Sequence, residues 1–246
     1  MTRKPAAAAR PPSAAALRRA LREKIRPGHS ESLAWFFKTG PGEYGEGDRF
    51  LGICIPDIRS VARGGESLST AEVLKLLHSP WHEERVLALM VLVRQFERGD
   101  ERTRKAVFDL YLGQTAWINN WDLVDLSAYQ IAGAWLLGRP RTVLGKLARS
   151  QSLWERRIAI VATYAFIRAG DLSDTFDLAE RLLGDPHDLI HKACGWMLRE
   201  AGKRDVAALE NFLDRHARAM PRTMLRYAIE KFSEARRKAI LRESRK

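Results

Sequence analysis

Cysteine is almost missing: Cys54 and Cys194 are the only two in 246 residues. With no CxxC pair and no even framework, a disulfide-stapled scaffold is excluded and reduced thiols in a cytoplasmic protein are expected. Long apolar runs are missing as well. None approaches the roughly 18 residues that a membrane span requires, so no membrane partner is expected. No sustained β-branched alternation occurs, which removes sandwiches and barrels. The opening MTRKPAAAARPPSAAA has no acid and lacks the apolar core of a secretory signal. A transit peptide shares that composition, but a disordered basic tail over residues 1–28 is the simpler expectation.

Helical period fills what remains. SESLAWFFK opens on a Ser cap candidate and runs into the glycine-rich loop TGPGEYGEGD. STAEVLKLLHS, WHEERVLALMVLVRQFERG, SLWERRIAIVATYAFIRAG, DTFDLAERLLG, HDLIHKACGWMLREAG and PRTMLRYAIEKF read as amphipathic helices with glycine or polar stops. The helices also recur. From Arg85 to Trp121 is 36 residues, to Arg157 another 36, to Lys192 another 35 and to Arg226 another 34. A period near 35 with two helices per unit is the mark of an α-solenoid of HEAT-like pairs. The expected fold is all-α, with a repeat domain over residues 29–233 and a basic helix end or tail over 234–246.

The formal net charge of +12 sits mostly at the ends. Residues 1–30 hold eight Lys/Arg against Glu23 alone, and residues 234–246 hold six against two acids, which leaves the body close to neutral. Such tails suit solubility or non-specific attachment to a polyanion. Specific binding then has to come from the repeat. In a solenoid, Arg85, Trp121, Arg157, Lys192 and Arg226 line one inner surface, a concave basic groove matching the girth of a duplex.

A carboxylate stands near the middle of that line. From Trp121 the steps to Asp125, Ala128 and Ala132 are four, seven and eleven, one stripe of a helix. Burying a carboxylate there is costly unless something charged or reactive faces it. Asp122, in the first turn, is accounted for by capping and the helix dipole; Asp125, a turn deeper, is not. Trp196 lies four residues after Lys192, where its face can meet a cation or a sugar. Trp81, Trp135 and Trp154 read as core. Arg156 and Arg157 open their helix, where a phosphate gains from both guanidinium and free amides, although a solvated pair is the ordinary reading. HDLIH (187–191) imitates the zinc motif HExxH, but its acid is Asp188 and the pair opens its helix, so no metal is expected. The glycine loop lacks the Gly-Lys-Ser/Thr of a phosphate cradle, and no cofactor is expected.

FLGICIPDIR (50–59), WDLVD (121–125), LWERRIAI (153–160) and GWMLRE (195–200), in that order, resemble the DNA alkylation repair enzyme family, the AlkD-like DNA glycosylases, over about residues 31–232. The resemblance implies a HEAT-like solenoid that cradles duplex DNA and excises cationic N3- or N7-alkylated purines. It implies an abasic product and catalysis without base flipping. By the same resemblance, Trp121 and Trp196 flank the lesion's deoxyribose, Asp125 is the catalytic aspartate, and Arg157 holds the lesion-strand backbone. Phe36 falls where the family can place a tyrosine, and Cys54 where it can place a glutamine near the opposite strand. Arg156, Lys192, Arg199, Arg85 and Arg226 complete the expected DNA-binding set. A cytoplasmic, nucleoid-associated monomer is expected. The alternative from another class is a non-catalytic helical-repeat scaffold that binds nucleic acid or protein; a weaker one is a zinc peptidase using His187 and His191. A scaffold has no use for Asp125, because a carboxylate facing phosphates weakens binding.

Overall fold

The computed structural model describes residues 12–244, and its backbone clusters into two compact units, Met1–Asp100 and Glu101–Lys246. Among the described residues every regular element is a helix, and the sole bridge between extended residues joins Arg49 to Trp81. No helix among them is long and apolar enough to cross a membrane.

The first unit holds α1 (Ala14–Arg22), α2 (His29–Phe36), α3 (Ile55–Ala62), α4 (Thr70–Leu77) and α5 (His82–Arg98). Its centre is α5, a run of Val, Leu, Ala and Met without Gly or Pro, with Glu83 and Glu84 in the first turn where negative charge meets the dipole. It is buried almost all round and packs on α3 and α4. The tail expected over 1–28 is corrected here. Ser13 caps α1 by accepting from the Ala16 amide at 3.3 Å, and Leu17 and Leu21 are buried. Each such leucine contributes roughly 1.5–3 kcal/mol by leaving water, enough to hold a short helix that composition alone marks as disordered. Arg18 adds an ion pair to the buried Glu84 at 2.6 Å. The expected tail's residues 1–11 lie outside the described residues.

The FLGI stretch owes its shape to Glu83. Its buried carboxylate accepts from the amides of Leu51 (2.8 Å), Gly52 (2.8 Å) and Ile53 (3.1 Å). Three charge-assisted bonds bend the chain around one side chain. Gly52 sits at φ +85, where a side chain is strained, and a β-carbon there would also stand 2.9 Å from the Ser30 nitrogen.

The second unit holds α6 (Glu101–Gly113), α7 (Trp121–Asp125), α8 (Ala134–Leu136), α9 (Thr142–Leu147), α10 (Leu153–Ala162), α11 (Tyr164–Arg168), α12 (Ser173–Arg181), α13 (Asp188–Gly202), α14 (Val206–His216), α15 (Arg222–Ala228) and α16 (Glu234–Glu243). The helices carrying the repeat marks at 121, 157, 192 and 226 are neighbours in order: α7 packs on α10, α10 on α13, and α13 on α15. Carboxylate–guanidinium pairs tie residues about thirty apart. Asp125 meets Arg157, Asp185 meets Arg156, and Glu230 meets Arg199.

The stripe Trp121–Asp125–Ala128–Ala132 is not one uninterrupted α-helix. After Asp125 the chain turns, then forms a π-helical turn over Tyr129–Gly133 before α8. The cause is local. The Ser127 hydroxyl bonds back to the Leu123 carbonyl at 2.5 Å, a contact that bends helices. Gly133 faces the Ala162 carbonyl so closely that no β-carbon fits between them. Ala128 and Ala132 are fully buried while Asp125 keeps an open edge. Single π turns of this kind accompany functional positions.

Candidate active site

Asp125 ends α7, which starts cleanly because Asn120 caps it: the Asn120 Oδ1 accepts from the Trp121 amide at 2.8 Å. Asp122 is used as its position suggests, its Oδ1 accepting from the Leu123 amide at 2.8 Å. Asp125 faces a guanidinium. Arg157, near the start of α10, donates Nε–H to Oδ1 at 2.9 Å and Nη2–H to Oδ2 at 2.8 Å, a two-pronged fork. A third donor, Nη1–H, reaches the Leu189 carbonyl at the start of α13. One fifth of the Asp125 side-chain surface remains open, against 5% for Arg157.

Two effects oppose each other on the Asp125 carboxyl. Burial disfavours its charge and pushes its pKa above the usual carboxylate range; the Arg157 cation and its hydrogen bonds pull it down, and the Asp122 charge adds a smaller upward push. The net direction is up. Tyr111, fully buried on α6, points its hydroxyl at Ser127 (3.0 Å), and burial lifts its own pKa.

The two tryptophans of the expected site are half-buried: Trp121 opens α7 and Trp196 lies mid-α13. An aromatic relay not visible in the sequence leads to Trp196. Tyr129, in the π turn, meets Tyr164 edge-on at 5.1 Å, and Tyr164 meets Trp196 at 6.1 Å. Gly195, just before Trp196, is the tight point between α13 and α15. A β-carbon there would stand 2.5 Å from the Met224 carbonyl oxygen and 2.5 Å from the Tyr227 Cβ. The local signal was an isolated glycine inside a helical pattern, which points to close approach. Gly195→Ala is therefore expected to destabilise the protein by about 1–3 kcal/mol, the cost of forcing atoms into a filled core. Urea denaturation measures it; an unchanged midpoint would show that α15 gives way freely.

The basic set is rearranged more than the carboxylate. Arg85 is corrected: it is 4% exposed, donates to Asp48 at 2.6 Å and to the Ser79 carbonyl at 3.3 Å, and therefore cannot reach a duplex. A charge so deeply buried needs its counter-ion, and Asp48 supplies it from the end of the glycine loop, beside His82. Arg156 is turned inward too, to Asp185 at 2.6 Å and to the carbonyls of Ser150 and Gln151. Arg199 pairs with Glu230 and Glu200. Lys192 pairs with Asp188 at 2.9 Å while staying partly exposed. Arg226 is exposed, and so is its neighbour Tyr227.

In the first unit, Phe36 is 54% exposed and meets Phe37 edge-on. Cys54 precedes α3 at its N-cap position without a side-chain capping bond, its sulfur 4.0 Å from His29 Nδ1. Trp135 is buried as expected, whereas Trp81 and Trp154 are only half-buried. His187 caps α13, accepting from the Leu189 amide, and His191 Nε2 lies 2.6 Å from the Asp185 carbonyl. Among the described residues no three His, Cys, Asp or Glu side chains gather as a metal site.

These features define an all-helical protein with a forked carboxylate–guanidinium pair between α7 and α10. The chain belongs to the DNA alkylation repair enzyme family, whose model matches residues 17–232. Its fold is similar to that of a predicted DNA alkylation repair enzyme from Enterococcus faecalis, with a TM-score of 0.68 at 14% identity over 86% of this chain and 98% of that one. Comparison with curated proteins gives no match.

Proposed function

We propose that this protein is a monofunctional DNA glycosylase. It hydrolyses the N-glycosidic bond of cationic N3- and N7-alkylated purines in duplex DNA, within a helical-repeat groove, and leaves an abasic site. Membership of the DNA alkylation repair family supports a damaged-DNA substrate. The observation that carries the reaction type is Asp125, a part-open carboxylate whose neighbouring acid, Asp122, accepts from the Leu123 amide of its own helix.

An ordinary glycosidase needs two carboxylates, one to protonate the leaving group and one for the sugar carbon. An alkylpurine such as N7-methylguanine already bears the positive charge that protonation would supply, so one carboxylate suffices. Asp125 stabilises the oxocarbenium that develops at the sugar and orients the attacking water. Trp121 and Trp196 present ring faces to the same cation. No lysine stands in the WDLVD motif, so strand nicking through a Schiff base is not part of the reading. Bond cleavage with the base left in the stack fits a groove better than the tight pocket that flipping requires.

The test is incubation of purified protein with duplex DNA holding a single N7-methylguanine. Free base is expected in solution, with strands that break only on later alkali treatment. Duplex that stays intact under alkali would favour the scaffold reading.

A further inference from the structure

We infer that Tyr164 is a positioning residue for Trp196, fixing the tilt of the ring that meets the sugar cation. The inference deepens the function proposed above and rests on it for its catalytic meaning. Two breaks in neighbouring helices bring Tyr164 into place. Ser127 and Thr163 stand six residues after Trp121 and Arg157, at matching points of the repeat. Each hydroxyl bonds back into its own helix, Ser127 to the Leu123 carbonyl at 2.5 Å and Thr163 to the Ile160 carbonyl at 2.7 Å. Such bonds compete with the regular ladder and bend helices. Beyond Ser127 the chain enters the π turn; beyond Ala162 it turns at Thr163, and α11 starts on Tyr164. The two breaks pack on each other. A β-carbon on Gly133 of the π turn would stand 2.9 Å from the Ala165 Cβ of α11.

Three rings then stand in a row across the π turn, α11 and α13. Tyr129 meets Tyr164 edge-on at 5.1 Å and 85°, and Tyr164 meets Trp196 at 6.1 Å and 37°. Edge-on and offset pairs at such distances attract, because the positive edge of one ring meets the negative face of the next. The consequence for Trp196 is conformational. A half-buried indole on a helix has several staggered rotamers open to it, and packing on Tyr164 favours one. Attraction to a cation depends on the cation lying over the ring face, so a ring that swings away contributes little. Holding the tilt before the substrate arrives removes an ordering cost from the reaction itself. Tyr164 makes both of these contacts through its ring, so a phenylalanine can replace it and a leucine cannot.

Three variants decide it. Tyr164→Phe keeps the ring, Tyr164→Leu removes it, and Trp196→Leu removes the ring being positioned. In free protein labelled with 5-fluorotryptophan, the Trp196 fluorine line is the one that Trp196→Leu abolishes. That line is expected to hold its place in Tyr164→Phe and to shift and broaden in Tyr164→Leu, while lines of distant tryptophans stay put. Single-turnover base release from N7-methylguanine duplex should fall about two- to thirtyfold in Tyr164→Leu, the span that a cation over a ring is worth. Tyr164→Phe should keep the wild-type rate, and affinity for undamaged duplex should not change. The double variant Tyr164→Leu/Trp196→Leu should be no slower than Trp196→Leu, because a residue that acts through a ring has no effect once the ring is gone.

A tyrosine that only fills space behaves otherwise. Its loss slows the reaction by the same factor with or without Trp196 and leaves the Trp196 line unmoved. A hydroxyl that touches the DNA has its own mark, since Tyr164→Phe then loses as much as Tyr164→Leu. Either result overturns the inference. If the protein releases no base at all, the glycosylase reading fails, yet the fluorine line in free protein still decides whether Tyr164 sets Trp196. Tyr164→Met, which fills the space without a ring, keeps the test open if the Leu variant does not fold.

Discussion

Asp125→Asn is expected to reduce base release by on the order of 10²–10³, the loss seen when a preorganised charge-stabilising group is removed. Affinity for duplex should stay unchanged or rise slightly. The substitution is nearly isosteric, so the shape at the end of α7 is kept, and the deficit reports charge. An amide carries no negative charge to set against an oxocarbenium, while removing an anion from a surface that meets phosphates cannot weaken their attraction. There is a structural cost. Arg157 aims two N–H groups at the two carboxylate oxygens, and an amide offers one acceptor and one donor. One prong of the fork then meets another N–H, which costs about 1–3 kcal/mol of stability. Single-turnover release and fluorescence anisotropy on the same duplex separate the two effects, with thermal unfolding as the third measurement. If affinity falls in step with rate, Asp125 is structural.

Why Asp125 was legible in the sequence, and its partner's use was not, comes down to range. A carboxylate four residues from Trp121 on a buried stripe is a local anomaly, visible from spacing. The fork spans 32 residues and joins two helices, and nothing in the local pattern of WERRIAI says which way Arg157 turns. Arg85 makes the same point from the other side. It occupies the same register as Arg157, and its carboxylate comes from a loop 37 residues earlier instead of an equivalent helix. A repeat predicts which helices become neighbours, and α7, α10, α13 and α15 are neighbours in that order. It does not predict which charges are spent within the stack.

The misread N-terminus has a different cause. Ala, Pro and Arg across residues 1–16 dominate the composition, and the i, i+4 pair Leu17 and Leu21 is a weak signal beside them. The π turn escaped for a third reason. Helical spacing counts to Ala132 without interruption, but Ser127 back-bonds to Leu123 and Gly133 must clear the Ala162 carbonyl, and both effects need coordinates to be seen. The turn carries Tyr129, which meets Tyr164, and Tyr164 in turn meets Trp196.

The charge of the lesion is the second large effect. Duplexes carrying N3- or N7-alkylpurines are expected to lose the base, and matched duplexes carrying uracil or hypoxanthine are not. A neutral base leaves only after it gains a proton, and a positioned general acid is worth roughly 10²–10⁴ in that step. Asp125 cannot serve as that acid while forked to Arg157, since both its oxygens accept from the guanidinium. Asp122 is held by the Leu123 amide, and burial keeps the Tyr111 proton on its oxygen, which is committed to Ser127. The tryptophan faces deepen the bias, because a ring quadrupole attracts a cation and does little for a neutral heterocycle. Lower pH does not rescue the neutral lesions. Asp125 has its pKa pushed up by burial, so acid protonates the carboxylate the reaction needs, and the rate on N7-methylguanine falls on the acid side, above the usual carboxylate range. The comparison is a panel of duplexes of one sequence with one lesion each, ranked by single-turnover rate. Release of uracil at a rate near that of N7-methylguanine would sink the single-carboxylate reading, since some other side chain would then be donating the proton.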